Sequence, residues 1–138
     1  MKYLLDTSAL LALFQDEAGA DTVANLFGTR ELDGTELLIS FISIFELVYL
    51  ATLRHGHAEA VRLVHRVRTL QLNEVWPTEE QLWLAGSIKS QGGLSGADAF
   101  VASAAVVNSA TLVHRDPEFR QLSTKVPQLD LMLPQADV

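Results

Sequence analysis

The sequence predicts an α/β fold, a three-layer α/β/α sandwich around a mostly parallel sheet of four to five strands. Three observations predict it. Short apolar runs read as buried strands, longer stretches with helical spacing lie between them, and Thr/Ser, Gly-Gly and Pro breaks punctuate the joins. No internal repeat interrupts this alternation. At 138 residues the chain is the size of one domain, expected to span 1–138.

Taken in order, KYLL (2–5) reads as a buried strand, and SALLALFQD begins a helix after a Thr/Ser break. A second helical stretch covers 18–29. ELLIS (36–40) is strand-like, and FISIFELVYLATLR carries helical spacing up to His55-Gly56-His57. Another helix covers 58–70, and LQLNEVW alternates into a third strand ending at Pro77. Thr78 is a good N-cap with Glu79 and Glu80 in the first turn, so 79–91 is helical until Gly92-Gly93 stops it. SGADAFVASAAVVNS is an alanine-rich helix, ATLVH a strand, DPEFRQL a short helix and QLDLML a last edge strand.

The composition, 49% hydrophobic and 20% charged, is that of a soluble globular protein. With no cysteine in the chain, disulfides, thiolate metal sites and cysteine nucleophiles are excluded. Lys2 and the apolar residues after it imitate a secretory signal, but Asp6 interrupts the run and ALLALF is too short, so the segment reads as part of the fold. No stretch approaches the roughly 20 apolar residues of a membrane helix. A cytoplasmic protein without membrane association is expected. The net charge of −7 argues against a simple wrapper of nucleic acid, although an enzyme can hold nucleic acid through a metal.

In a parallel sheet with helical crossovers, strand ends and the starts of the following helices share one rim, where ligands bind. Asp6 ends the first strand, Glu46 lies early in the helix after the second, Asp98 opens the helix before the fourth, and Asp116 follows the fourth. Each has a plain structural reading. Asp6 can cap the first helix, Ser95 and Asp98 have capping-box spacing, and Asp116-Pro117 is a good helix start. Isolation shifts the balance. Glu46 is the only charged residue from Leu37 to Leu53, and Asp98 is the only Asp, Glu, Lys or Arg from Ser90 to His114. Burying an unpaired carboxylate costs several kcal/mol, so these groups need a cation. A hard divalent ion with oxygen ligands, Mg2+ or Mn2+, meets that need and supplies the chemistry of phosphodiester hydrolysis.

Four pieces, LLDTSALLAL, ISIFELVYL, LSGADAFVASAA and LVHRDPEF, together span essentially the whole chain. In this order and spacing the sequence resembles the PIN-domain ribonucleases, and most closely the small VapC-like toxins of type II toxin-antitoxin systems. The resemblance implies a PIN-like sandwich and a metal-dependent endoribonuclease. Its catalytic and metal-binding set would be Asp6, Glu46, Asp98 and Asp116, holding one or two ions that activate water. It also implies an RNA substrate, a cognate antitoxin protein and a homodimer. Ser8 is similar to the small hydroxyl residue that assists the first aspartate, with Thr7 left to backbone capping or to the substrate. His114 stands where many relatives have threonine or serine. It is read either as a strand-end histidine with a satisfied hydrogen bond or as a group that contacts the scissile phosphate or alters hydrogen bonding around the metal. Arg115 is a candidate substrate contact that could instead pair with Asp116.

Residues 54–68 concentrate four arginines and three histidines against one acid, Glu59. On a helix, Arg62, His65, Arg66 and Arg68 share a face only in part. The stretch is a solvated helix surface, a positive wall that steers RNA with Arg62 and Arg66 as contacts, or an antitoxin contact. Two rival functions remain at this level: another metal-dependent nuclease or phosphatase on a similar sheet, and a non-catalytic binding module. A phosphatase with a nucleophilic aspartate generally wants a second acid two residues on, where this chain has Ser8.

Overall fold

The computed structural model describes residues 1–134, so the last four positions of the expected domain lie outside the described residues. Five strands, β1 (Lys2–Leu5), β2 (Glu36–Ser40), β3 (Asn73–Val75), β4 (Thr111–His114) and β5 (Gln128–Asp130), form one sheet in the order β3-β2-β1-β4-β5. Every pairing is parallel, with Leu4 opposite Leu38 on one side and Leu112 on the other. The sheet is therefore the upper of the two expected sizes, and parallel throughout.

Helices α1 (Thr7–Phe14), α2 (Ala20–Asp33), α3 (Phe41–His55), α4 (His57–Thr69), α5 (Glu79–Ser90) and α6 (Gly96–Val107) connect the strands, and a 3-10 helix spans Pro117–Leu122. Alternation along β1 assigns the layers. Leu4 points into a core shared with Leu38, Leu112, Ile88 of α5 and Val101, Ala102 and Ala105 of α6. Leu5 points the other way, to Leu37, Ile39 and Val113 with Leu10, Val23, Leu47 and Val67 from α1 to α4. Both leucines are fully buried, which is why β1 reads as an unbroken apolar run.

Departures from the expected boundaries have local causes. Helix α2 begins at Ala20 because Gly19 precedes it at φ 97°, and a Cβ there would lie 2.8 Å from Leu131. It continues past Thr29 to Asp33, where Gly34 at φ 74° returns its N–H to the Arg30 carbonyl. The edge strands are shorter than LQLNEVW and QLDLML propose. Gln71 turns the chain at φ 55° just before β3, and Asp130 accepts the Met132 N–H and ends β5 in a turn.

Candidate active site

The strand order reverses across β1 and β4: β2 and β3 build out from one side of β1, and the chain then returns to lay β4 against the other. In open α/β sheets, ligands bind in the crevice at such a reversal, beyond the carboxyl ends of the strands. Asp6 leaves β1 at that crevice, and its own N–H donates to the Val113 carbonyl of β4 (2.9 Å). Asp116 leaves β4 on the same side.

Asp6 is buried and caps α1, accepting the Ser8 N–H (3.1 Å) and the Ser8 hydroxyl (2.5 Å). The Ser8 oxygen in turn accepts the Arg115 N–H (2.9 Å), which ties the first helix to the end of β4. Ser8 thus holds the Asp6 carboxylate through its N–H and its hydroxyl. Thr7 does not cap the helix, since Asp6 does. It is buried, and its hydroxyl donates to Glu46 Oε1 at 3.2 Å, which steadies that side chain on α3. Ser95 caps α6 by accepting the Asp98 N–H (3.1 Å), and Asp116 caps the 3-10 helix by accepting the Glu118 N–H (3.0 Å).

Capping does not discharge these acids electrostatically. Burial raises the Asp6 pKa against the two Ser8 hydrogen bonds, and Asp116 pushes it further up. Burial, then the Asp6 charge, lifts Glu46 to about 7, with Thr7 opposing and Asp98 and Asp116 adding to the rise. Burial, then Asp6 and Asp116, lifts Asp98 to about 6, with Ser95 opposing and Glu118 adding. The four acids foreseen from the sequence therefore lie within one another's field. Asp98, Asp116 and Glu118 each offer an oxygen within 4.8 Å of the others.

Glu118 was not among the foreseen residues. Its signal was the Asp-Pro-Glu run at the start of the short helix, where a first-turn acid is already accounted for by the helix dipole. An all-oxygen set of carboxylates that repel one another fits a hard divalent cation such as Mg2+ or Mn2+, with Asp98, Asp116 and Glu118 as the tightest group and Asp6 and Glu46 behind it.

The remaining candidates separate from this centre. Arg115 does not pair with Asp116; its guanidinium pairs with Glu17, in the turn after α1. His114 is fully buried, so it does not reach a phosphate, and both ring nitrogens are engaged, Nδ1 by the Asp116 N–H and Nε2 by Gln128. Arg62 pairs with Glu59 on the exposed side of α4, and the Arg66 guanidinium lies 4.3 Å over the Phe14 ring. Among the described residues no contact joins either arginine to the carboxylates. Of the basic stretch, His57, His65 and Arg68 line a groove between α3 and α4 together with Val48, Val61 and Val64.

The raised carboxyls carry a pH signature. A carboxyl whose folded-state pKa is raised contributes its stability in full below its ordinary value and loses it as the pH climbs through the folded value, here about 6 for Asp98 and about 7 for Glu46. Metal-free protein is thus expected to be more stable at about pH 5 than at about pH 8. Glu46→Gln should flatten that slope and add about 1 kcal/mol at the higher pH, a figure discounted for the water around a half-exposed side chain. Urea titrations across the range, in the presence of chelator, read this directly. A Glu46→Gln profile parallel to the parent would refute it.

A model of the PIN domain matches residues 3–125. No curated protein matches by sequence. Among solved structures, a chain of VapBC-1 from nontypeable Haemophilus influenzae is similar at 24% identity over 96% of this chain and 100% of that one, with a TM-score of 0.74. A chain of VapBC2 from Rickettsia felis, bound to a DNA fragment from its promoter, is similar at 17% identity over 94% and 98%, with a TM-score of 0.75. Mycobacterium tuberculosis VapC20, described as a sarcin-ricin loop cleaving toxin, is similar at 18% identity over 90% and 95%, with a TM-score of 0.66. At these identities the likeness is one of fold.

Proposed function

The chain belongs to the PIN-domain family, and on that premise we propose that it is a metal-dependent endoribonuclease acting as the toxin of a type II toxin-antitoxin pair. The observation that carries the reading is the set of carboxylates at the sheet's reversal point, where burial and neighbouring acids raise Asp6, Glu46 and Asp98, and where no lysine or arginine among the described residues forms an ion pair with these three or with Asp116. A bound Mg2+ or Mn2+ supplies charge neutralisation and makes water acidic enough to attack phosphorus. The chain's own residues do the rest. Asp98, Asp116 and Glu118 hold the ion, Asp6 and Glu46 add negative field to it, and Ser8 and Thr7 fix those two carboxylates so that they need not reorganise when substrate arrives.

The partners belong to the same reading. The groove between α3 and α4, apolar along its floor and basic at its edge, suits an amphipathic segment of an antitoxin with acidic flanks. The exposed face of α5, with Leu82 and Trp83 beside Gly86, suits self-association into a homodimer. No helix among the described residues is long and apolar enough to cross a membrane, and a cytoplasmic location accords with an RNA substrate.

The test is cleavage by purified chain freed of any partner, with RNA, single-stranded DNA and a small phosphate ester compared under one set of Mg2+ and Mn2+ conditions. RNA should be cut only with metal, the other substrates at least about tenfold more slowly. Light scattering on the same sample should give the mass of a dimer. Preferential cleavage of the ester or of DNA would move the activity to the rival hydrolase, and failure both to bind metal and to cut would leave a binding module.

A further inference from the structure

His114 is fully buried at the end of β4, two residues before Asp116. Its Nδ1 lies 3.1 Å from the Asp116 backbone nitrogen, and its Nε2 lies 2.8 Å from Gln128 Oε1 on β5. Gln128 Nε2 donates to the Phe119 carbonyl at 2.7 Å, inside the 3-10 helix. The two ends of this chain of bonds have fixed roles, because a carbonyl only accepts and an amide N–H only donates. Gln128 must therefore present its oxygen to the ring, the ring must carry its proton on Nε2, and Nδ1 must accept from Asp116. One arrangement satisfies every group.

We propose that His114 and Gln128 form a positioning relay that sets where the Asp116 and Glu118 carboxylates stand. This deepens the nuclease reading and rests on it. The relay anchors the start of the 3-10 helix twice, at the Asp116 N–H and at the Phe119 carbonyl, and both anchors run through Gln128 to the neighbouring strand. Phe119 closes the unit from within, its ring 5.0 Å from the imidazole and fully buried. Between these anchors lie two of the three carboxylates that approach one another within 4.8 Å. A glutamine on β5, with no hydrogen bond of its own to these acids among the described residues, thereby acts on their spacing.

The test uses the full chain. Long-range proton-nitrogen NMR correlations on metal-free protein should show His114 protonated at Nε2 only; a proton on Nδ1 overturns the relay. Calorimetric titration with Mn2+ then compares the parent with His114→Phe, His114→Asn and Gln128→Met. His114→Phe keeps the volume without the acceptor and should weaken Mn2+ binding about tenfold and lower kcat for RNA with KM little changed, the size expected for a group behind a metal ligand. His114→Asn, whose Oδ1 sits near the place of Nδ1, should recover to within about threefold of the parent. A folded His114→Phe protein that binds Mn2+ like the parent overturns the proposal, and so does an Asn variant as weak as Phe. Should His114→Phe not fold, Gln128→Met decides: weaker Mn2+ binding supports the relay and unchanged binding overturns it. Parent protein that binds no Mn2+ would overturn the nuclease reading itself and this one with it.

Discussion

Asp98→Asn should reduce metal-dependent RNA cleavage by at least about 100-fold, since it removes a charge that the ion and the developing transition state both depend on. The loss should come without unfolding. Asp98 is raised to about 6 by burial and by its acidic neighbours, so the neutral amide relieves a repulsion and the metal-free variant should melt no lower than the parent at about pH 8. That pairing of lost activity with kept or gained stability separates a site carboxylate from a structural cap. Were Asp98 chiefly a helix-starting residue, Asn would cost stability and spare the rate. Cleavage within about threefold of the parent would sink its place in the site.

Phe119→Ala should cost about 3–5 kcal/mol in urea-induced unfolding, the usual range for emptying a fully buried aromatic position. Phe119 is fully buried in the core that also holds Leu4, Leu112, Ala105 and Val126. A cavity there falls beneath His114 and beside the 3-10 helix, so activity should fall even at temperatures where the variant stays folded. A loss below about 1 kcal/mol would mean that the surroundings collapse onto the vacancy.

The central elements were legible because their signals are local. KYLL and ELLIS are short apolar runs between breaks, and Thr78 and Ser95 are caps that the structure uses as such. Asp6, Glu46 and Asp98 stood out because each interrupts an apolar or uncharged stretch with no neighbour in sequence to answer its charge, and Asp116, beside Arg115, stood out by its place at the end of β4. Three features were hidden for one shared reason, that their partners lie far along the chain. Glu17 meets Arg115, Thr7 meets Glu46, and His114 meets Gln128 only after the sheet has been assembled. Glu118 was hidden differently, because the helix dipole already explains a first-turn acid. The short edge strands were overextended because alternation continues past the point where a positive φ or an aspartate turn ends the pairing.

The order of the sheet also sets when the site can exist. The second edge of β1 waits for β4, a strand far along the chain, with Tyr3 opposite Thr111 and Leu5 opposite Val113. The Asp6 N–H donates to the Val113 carbonyl, and Ser8, bonded to the Asp6 carboxylate, accepts the Arg115 N–H. Until β4 is in place the chain has Asp6, Glu46 and Asp98 but no crevice to gather them, and pairing across so long a stretch of chain comes late in folding.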